Sequence, residues 1–250
     1  MAKIVSIHSY RGGTGKSNLT ANLAASLAAM GKRVAVVDTD IQSPGIHMLF
    51  GLAETDDRKT LNDYLWERCA IRETVVDVTP AALAGTEGRV WLVPSSLKAG
   101  DIAKVLREGY DVGLLNDGFH DLMDELALDL LLIDTHPGLN EETLLSIAIS
   151  DTLVVLLRPD RQDFQGTAVT VEVAQKLEVK NLVMVLNKVL PSVLAQGFVA
   201  EVERAYGAPV IGVLLEATEM LELGSSALFS LRFPDHPLSV EIQRIAAQLV

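Results

Sequence analysis

Apolar residues along this chain fall into short continuous runs separated by stretches of helical spacing. The runs at 3–8, 33–38, 90–93, 130–134, 151–158, 181–187 and 209–213 are aliphatic and β-branched, the character of strands. Between them, 16–30, 43–50, 60–67, 100–107, 113–127, 141–150, 165–177 and 194–205 carry helical patterns, and a closing helix is predicted from about 238 onward. Such alternation predicts an α/β fold: a mostly parallel sheet with helices on both faces. Leu130, Leu131, Leu132 and Ile133 are apolar at every position, as in a strand buried on both sides. No internal repeat, low-complexity stretch or linker interrupts the pattern, so 1–250 reads as a single domain. Sheets of this kind bind ligands beyond the carboxyl ends of their strands, and the polar motifs of this chain fall there.

Composition narrows the function classes. The 250 residues, 49% apolar and 22% charged, suffice for a sizeable core, and with only 5% aromatics that core must be aliphatic. A net charge of −12 argues against a dedicated nucleic-acid binder, which needs clustered Lys and Arg. The single cysteine, Cys69, excludes an internal disulfide framework and a CxxC metal or cluster site. Residues 1–8 lack the pattern of a signal peptide, and no apolar run approaches a membrane span; a cytoplasmic protein is predicted.

The first strand leads into Ser9-Tyr10-Arg11-Gly12-Gly13-Thr14-Gly15-Lys16-Ser17-Asn18, and a helix follows at once. Glycines let backbone N–H groups turn inward around phosphates, and the following helix points its positive end at them. Lys16 adds a charge for the β- and γ-phosphates, and the Ser17 hydroxyl suits Mg²⁺. The full GxxxxGK[ST] pattern fails at its first position, where Tyr10 replaces glycine. A glycine turn with an incidental lysine is the plainer explanation; the strand–glycine–helix context weighs against it.

The segment resembles the deviant Walker A motif of the MinD/ParA ATPases, KGGxGK[ST], with Arg11 where that family has lysine. The resemblance extends in order and spacing over nearly the whole chain. It implies a P-loop NTPase that binds ATP with Mg²⁺ and forms an ATP-dependent homodimer. Hydrolysis would be slow until an activating partner protein engages. Gly12, Gly13, Thr14, Gly15, Lys16, Ser17 and Asn18 would cradle the nucleotide, with Lys16 acting in catalysis. Arg11 would reach the partner subunit's phosphates; arginine keeps the charge and adds a planar fork. Alternatively, Arg11 pairs with a local carboxylate.

The second strand ends Val37-Asp38-Thr39-Asp40, with two carboxylates two residues apart on one side of an extended chain. The pair resembles the family's switch I. By that resemblance Asp40 orients or deprotonates the attacking water, and Asp38 holds the Mg²⁺ shell or braces the phosphate loop. A helix cap for the segment near Ser43 is the alternative for either one. The continuation from Ser43 to Gly51 also resembles an iron–sulfur carrier branch, which Cys69 alone cannot serve. The apolar strand ending Asp134-Thr135-His136-Pro137-Gly138 reads as Walker B and switch II, with Asp134 a metal-shell candidate and His136 a turn or interface residue. By resemblance Asn187 reads the adenine edge, and residues 212–217 close over the base. Arg158 and Arg161 beside Asp160 would pair across subunits or form a solvated loop.

In the closing helix Leu238, Ile242, Ile245 and Leu249 mark one face, with one Arg and one Glu, a pattern of core packing rather than membrane attachment. From residue 201 onward Arg204, Arg232 and Arg244 face seven acidic residues, so charge does not support non-specific DNA binding there. The expected function is an ATP-driven switch for positioning or partitioning a cargo. A regulatory ATP-binding module with little turnover, or a biosynthetic ATP-dependent enzyme of the same fold, are the alternatives.

Overall fold

Eight strands form one sheet in the computed structural model, which describes residues 2–52, 58–194 and 197–250. They are β1 (Lys3–His8), β2 (Arg33–Asp38), β3 (Val76–Asp77), β4 (Arg89–Val93), β5 (Leu130–Asp134), β6 (Thr152–Leu157), β7 (Leu182–Val189) and β8 (Val210–Leu215). Their order is β3-β4-β2-β5-β1-β6-β7-β8. Every pairing is parallel except that of the two-residue β3 with β4.

Side chains alternate between faces along each strand. Leu130 and Leu132 pack on one face with Val5, Ile7, Val34 and Val36, and Leu131 and Ile133 on the other with Ile4, Ala35 and Val37. The first face is covered by the helices Lys16–Ala29 and Pro237–Leu249, the second by Val112–Glu125 through Leu115, Phe119 and Leu122. Burying each such leucine contributes roughly 1.5–3 kcal/mol. Of the 14 residues of the helix Lys16–Ala29, only Ser17, Asn18 and Ala29 are not buried. Its alanines and serines let neighbours approach closely. At Gly88, before β4, a Cβ would collide with the carbonyl oxygen of Ala28.

The expected strands are all present, within two residues at their ends. The helix expected at 43–50 occupies only Ile46–Leu49, because Pro44 and Gly45 keep the chain open after β2. The helix expected at 165–177 begins earlier, at Arg161, capped by Asp160, whose carboxylate accepts from the Gln162 and Asp163 N–H groups. Of the helix expected at 194–205, residues 195 and 196 lie outside the described residues. The chain is helical at Pro191–Leu194 and again at Phe198–Tyr206, which starts from Gly197 in the left-handed region. β3 and the helices Thr218–Leu223 and Phe229–Arg232 are too short for a periodic signal. Among the described residues no helix is long and apolar enough to cross a membrane.

Candidate functional site

A cavity of about 460 Å³ opens at the carboxyl ends of the strands. The loop after β1 lines it with Gly12, Gly13, Gly15, Lys16, Ser17 and Asn18. Asp40 and Ser43 follow β2, Asn187 and Lys188 come from β7, and Leu214 to Ala217 from β8 and the turn beyond it. Met220, Leu238 and Ile242 complete an apolar wall. Cations and glycine backbone beside an apolar wall suit a ligand with phosphates and a flat ring.

The glycine loop takes its shape from residues 13 and 15, where φ is +75° and +99°, in a region that L side chains rarely adopt. Gly15 caps the helix Lys16–Ala29 without a side-chain hydrogen bond, which leaves the first helical N–H groups to an anion. The loop is pinned on all sides. Thr14 Oγ1 donates to Ser9 Oγ (2.8 Å), and Ser9 Oγ to the Arg11 carbonyl (2.7 Å). From β7, Asn187 Nδ2 donates to the Thr14 carbonyl (2.7 Å) and Lys188 Nζ to that of Gly13 (3.3 Å). The Tyr10 ring lies on Gly166, where a Cβ would collide with it. The side chain of Thr14, expected in the cradle, instead braces it from a buried position outside the cavity lining.

Register brings the acids together. Asp38 and Asp134 are directly paired positions on the neighbouring strands β2 and β5, and both carboxylates are buried. Asp38 Oδ1 accepts from the Asp40 N–H (3.1 Å), while its Oδ2 has no hydrogen-bond partner of good geometry among the described residues. Burial, reinforced by Asp134 and Asp40, holds Asp38 well above the usual carboxylate range. Asp134 is pushed up to about 6, by burial first; Ser17, Lys16 and Thr20 oppose the shift and Asp40 adds to it. Lys16 is nearly buried, and burial lowers its pKa against the pull of Asp134, Asp40 and Asp38. These groups fit Mg²⁺: an unsatisfied buried carboxylate oxygen, a second carboxylate linked to the Ser17 hydroxyl, and charge a divalent cation would balance. Neither Asp38 nor Asp134 lines the cavity, and no group of three or more His, Cys, Asp or Glu among the described residues is placed to hold a metal alone. Ser17, carboxylate-held water and phosphate oxygens would therefore form the shell.

Arg11 takes the local pairing. Its Nη1 lies 3.7 Å from Asp160 Oδ1 and 3.6 Å from Asp163 Oδ1, and it does not line its own chain's cavity. Arg158 shares those acids, with Nε 3.0 Å from Asp163 Oδ2 and Nη2 3.1 Å from Asp160 Oδ2, so it is engaged within the chain. Asn187 lines the cavity as expected, but its amide already donates to Thr14 and accepts from the Lys188 N–H (2.9 Å), leaving one N–H and one lone pair for a base. Of the expected base loop, Gly212 is instead in β8, where a Cβ would collide with Ile245; only Leu214 to Ala217 reach the cavity.

Two histidines gain roles that spacing did not reveal. His136 Nδ1 lies 2.7 Å from Asp40 Oδ1. His8, completely buried at the end of β1, meets Thr135 Oγ1 at 2.8 Å. Burial, with Lys16 and His136 nearby, pushes the His8 pKa down to about 3, so it stays neutral. The adjacency of strands after which Asp40 and His136 fall was the one available signal.

Residues 5–230 match the model of the CobQ/CobB/MinD/ParA nucleotide binding domain. The chain belongs to this family. Within the CobQ/CobB/MinD/ParA family it is 29% identical, over 251 aligned positions, to an uncharacterised ATP-binding protein of Methanocaldococcus jannaschii, covering 100% of this chain and 88% of that protein. Its fold is similar to the MinD cell division protein of Aquifex aeolicus, with a TM-score of 0.82 at 21% identity over 99% of this chain and 96% of the other. It is also similar to the septum site-determining protein MinD of Pyrococcus horikoshii, solved with Mg-ADP, with a TM-score of 0.80 at 20% identity over 100% and 96% of the two chains. These likenesses show the P-loop NTPase fold.

Proposed function

We propose that this family member binds and hydrolyses Mg-ATP and uses the nucleotide as a dimerisation switch. The observation that carries the reading is the nearly buried Lys16, set in a glycine cradle with Asp38, Asp40 and Asp134 around it. An ammonium at the cavity can meet a phosphate, and the glycine loop provides the amides that would share that phosphate with it. Bound Mg²⁺ would neutralise charge developing on the phosphates. Ser17 is its ligand, and Asp38 and Asp134 hold its shell. Asp40, a carboxylate that lines the cavity after β2, orients water. Asn187 and the wall of Leu214, Met220, Leu238 and Ile242 receive the base.

Arg11 acts on the partner subunit's phosphates once dimerisation draws it from Asp160 and Asp163. The two ion pairs then favour the monomer and keep turnover slow until a partner protein engages. Its likeness to a cell division protein and a septum site-determining protein supports a positioning or partitioning role in the cytoplasm.

The test is size-exclusion chromatography with light scattering, in ADP and then in Mg-ATP, with Asp40→Ala to slow turnover. Dimer only with ATP, abolished by Arg11→Ala while ATP still binds, is the expected result. A monomer under every condition removes the switch, and failure of Lys16→Ala to weaken ATP binding removes the site.

A further inference from the structure

We infer that His136 is a positioning residue for ATP hydrolysis, holding the water-orienting carboxylate of Asp40 through its Nδ1–H. The inference rests on the proposed ATPase activity and adds to it a contact between the two switch segments. Asp40 follows β2 and His136 follows β5, 96 residues apart, yet Nδ1 and Oδ1 approach to 2.7 Å. The pair is sheltered, with side chains 21% and 14% exposed, so water competes weakly for the hydrogen bond.

The donors around Asp40 all converge on one oxygen. His136 Nδ1, Ser43 Oγ (2.9 Å) and Ser43 N (3.3 Å) meet Oδ1, and among the described residues Oδ2 has no hydrogen-bond donor. One oxygen is the anchor and the other is left for water. Asp40 lines the nucleotide cavity and His136 does not, which makes the histidine the support and the aspartate the group in contact. Since a carboxylate oxygen only accepts, Nδ1 must carry a proton.

The support is itself fixed. Next to His136, Thr135 is tied to the Ile7 carbonyl through both N–H (3.3 Å) and Oγ1 (3.0 Å). The His136 carbonyl accepts from Thr143 Oγ1 (3.3 Å), and the Gly138 N–H donates to the Ser9 carbonyl (3.3 Å). Phosphoryl transfer depends on alignment of the nucleophile, so a carboxylate held from a rigid strand end aligns water better than one anchored to its own loop alone.

Steady-state ATPase rates and equilibrium Mg-ATP binding are measured for wild type, Asp40→Ala, three substitutions of His136 and the double variant of Asp40→Ala with His136→Ala, with thermal melts as a fold check. His136→Ala is expected to lower kcat roughly ten- to hundredfold, the loss of one charge-assisted hydrogen bond, with KM for ATP nearly unchanged. His136→Asn, whose amide nitrogen falls where Nδ1 was, restores most of the rate; His136→Gln, whose amide mimics Nε2, does not. His136→Ala adds nothing to Asp40→Ala, because the two act through one contact. If wild type is no faster than Asp40→Ala, the hydrolysis reading fails and this inference with it. If wild type exceeds Asp40→Ala but His136→Ala matches wild type, or Asn falls as far as Ala, positioning by His136 alone is overturned.

Discussion

Replacing Asp134 with asparagine should make the nucleotide-free protein more stable at neutral pH. Its carboxyl is raised from 3.8 in an unconstrained chain to about 6 in the fold, chiefly by burial. Between those values the folded state binds the extra proton, so stability falls as pH rises through the window and stays low above it. The shift corresponds to a cost on the order of 3 kcal/mol at pH 7.5 for keeping the ionised form buried. Asparagine keeps the shape and a carbonyl acceptor for Ser17 and Thr20 without the charge, and it relieves Asp38 opposite. Lys16 loses a counter-charge, but that attraction is already within the net shift. In EDTA, thermal melts should place Asp134→Asn several degrees above wild type at pH 7.5, since a chain of this size gains roughly 2–4 °C per kcal/mol. The gap should shrink through the carboxylate range and close only below about pH 3, where wild type is protonated in both states. With Mg-ATP the wild type should gain stability and the variant much less. A variant less stable than wild type at pH 7.5 in EDTA, or a gap equal at both pH values, would refute the reasoning.

Other perturbations separate packing from chemistry. Gly88→Ala drives a methyl into the Ala28 carbonyl and should lower stability by roughly 1–3 kcal/mol in urea titrations, with ATP binding retained in the folded fraction. Gly15→Ala combines a φ of +99° with a Cβ 2.5 Å from Asn187 Nδ2, so calorimetry should show ATP affinity falling at least tenfold, on the order of 1.4 kcal/mol. Glu241 is held below its ordinary range first by Arg244, and it also accepts from the Val213 N–H at 2.9 Å. Its stabilisation is present above the carboxylate range and lost as pH falls through the lowered value. Partly exposed as it is, Glu241→Gln should cost under about 1 kcal/mol at pH 7, and progressively less as pH falls below the ordinary carboxylate range, in parallel melts.

What the sequence made legible was local. The glycine loop, β1 and the helix behind it are contiguous, and strand ends such as Asp38 and Asp134 announce themselves by an apolar run that stops at an acid. Parallel pairing then puts those two acids side by side without further instruction. Contacts across the chain were hidden: no spacing ties His136 to Asp40 or Asn187 to the Thr14 carbonyl, 173 residues away. For Arg11 a local carboxylate partner was readable as an alternative, but not which one, because Asp160 and Asp163 sit at a helix start that period alone placed four residues late. The base wall was underestimated for a similar reason. Met220 lies on a six-residue helix with too few turns to show a face.

The brace from Asn187 and Lys188 has a consequence for how the molecule is made. During synthesis the glycine loop is made well before β7, at a point when Asn187 and Lys188 cannot yet hold the Gly13 and Thr14 carbonyls. At roughly 5–20 residues per second, on the order of ten to thirty seconds pass before β7 is synthesised, and the wall from Leu238 and Ile242 arrives later still. An unfinished chain thus carries the most recognisable motif of a nucleotide site and little capacity to grip a nucleotide. In the proposed site, a grip on ATP would in this sense depend on β7 and the helix Pro237–Leu249 having been made, and not on the glycine motif alone.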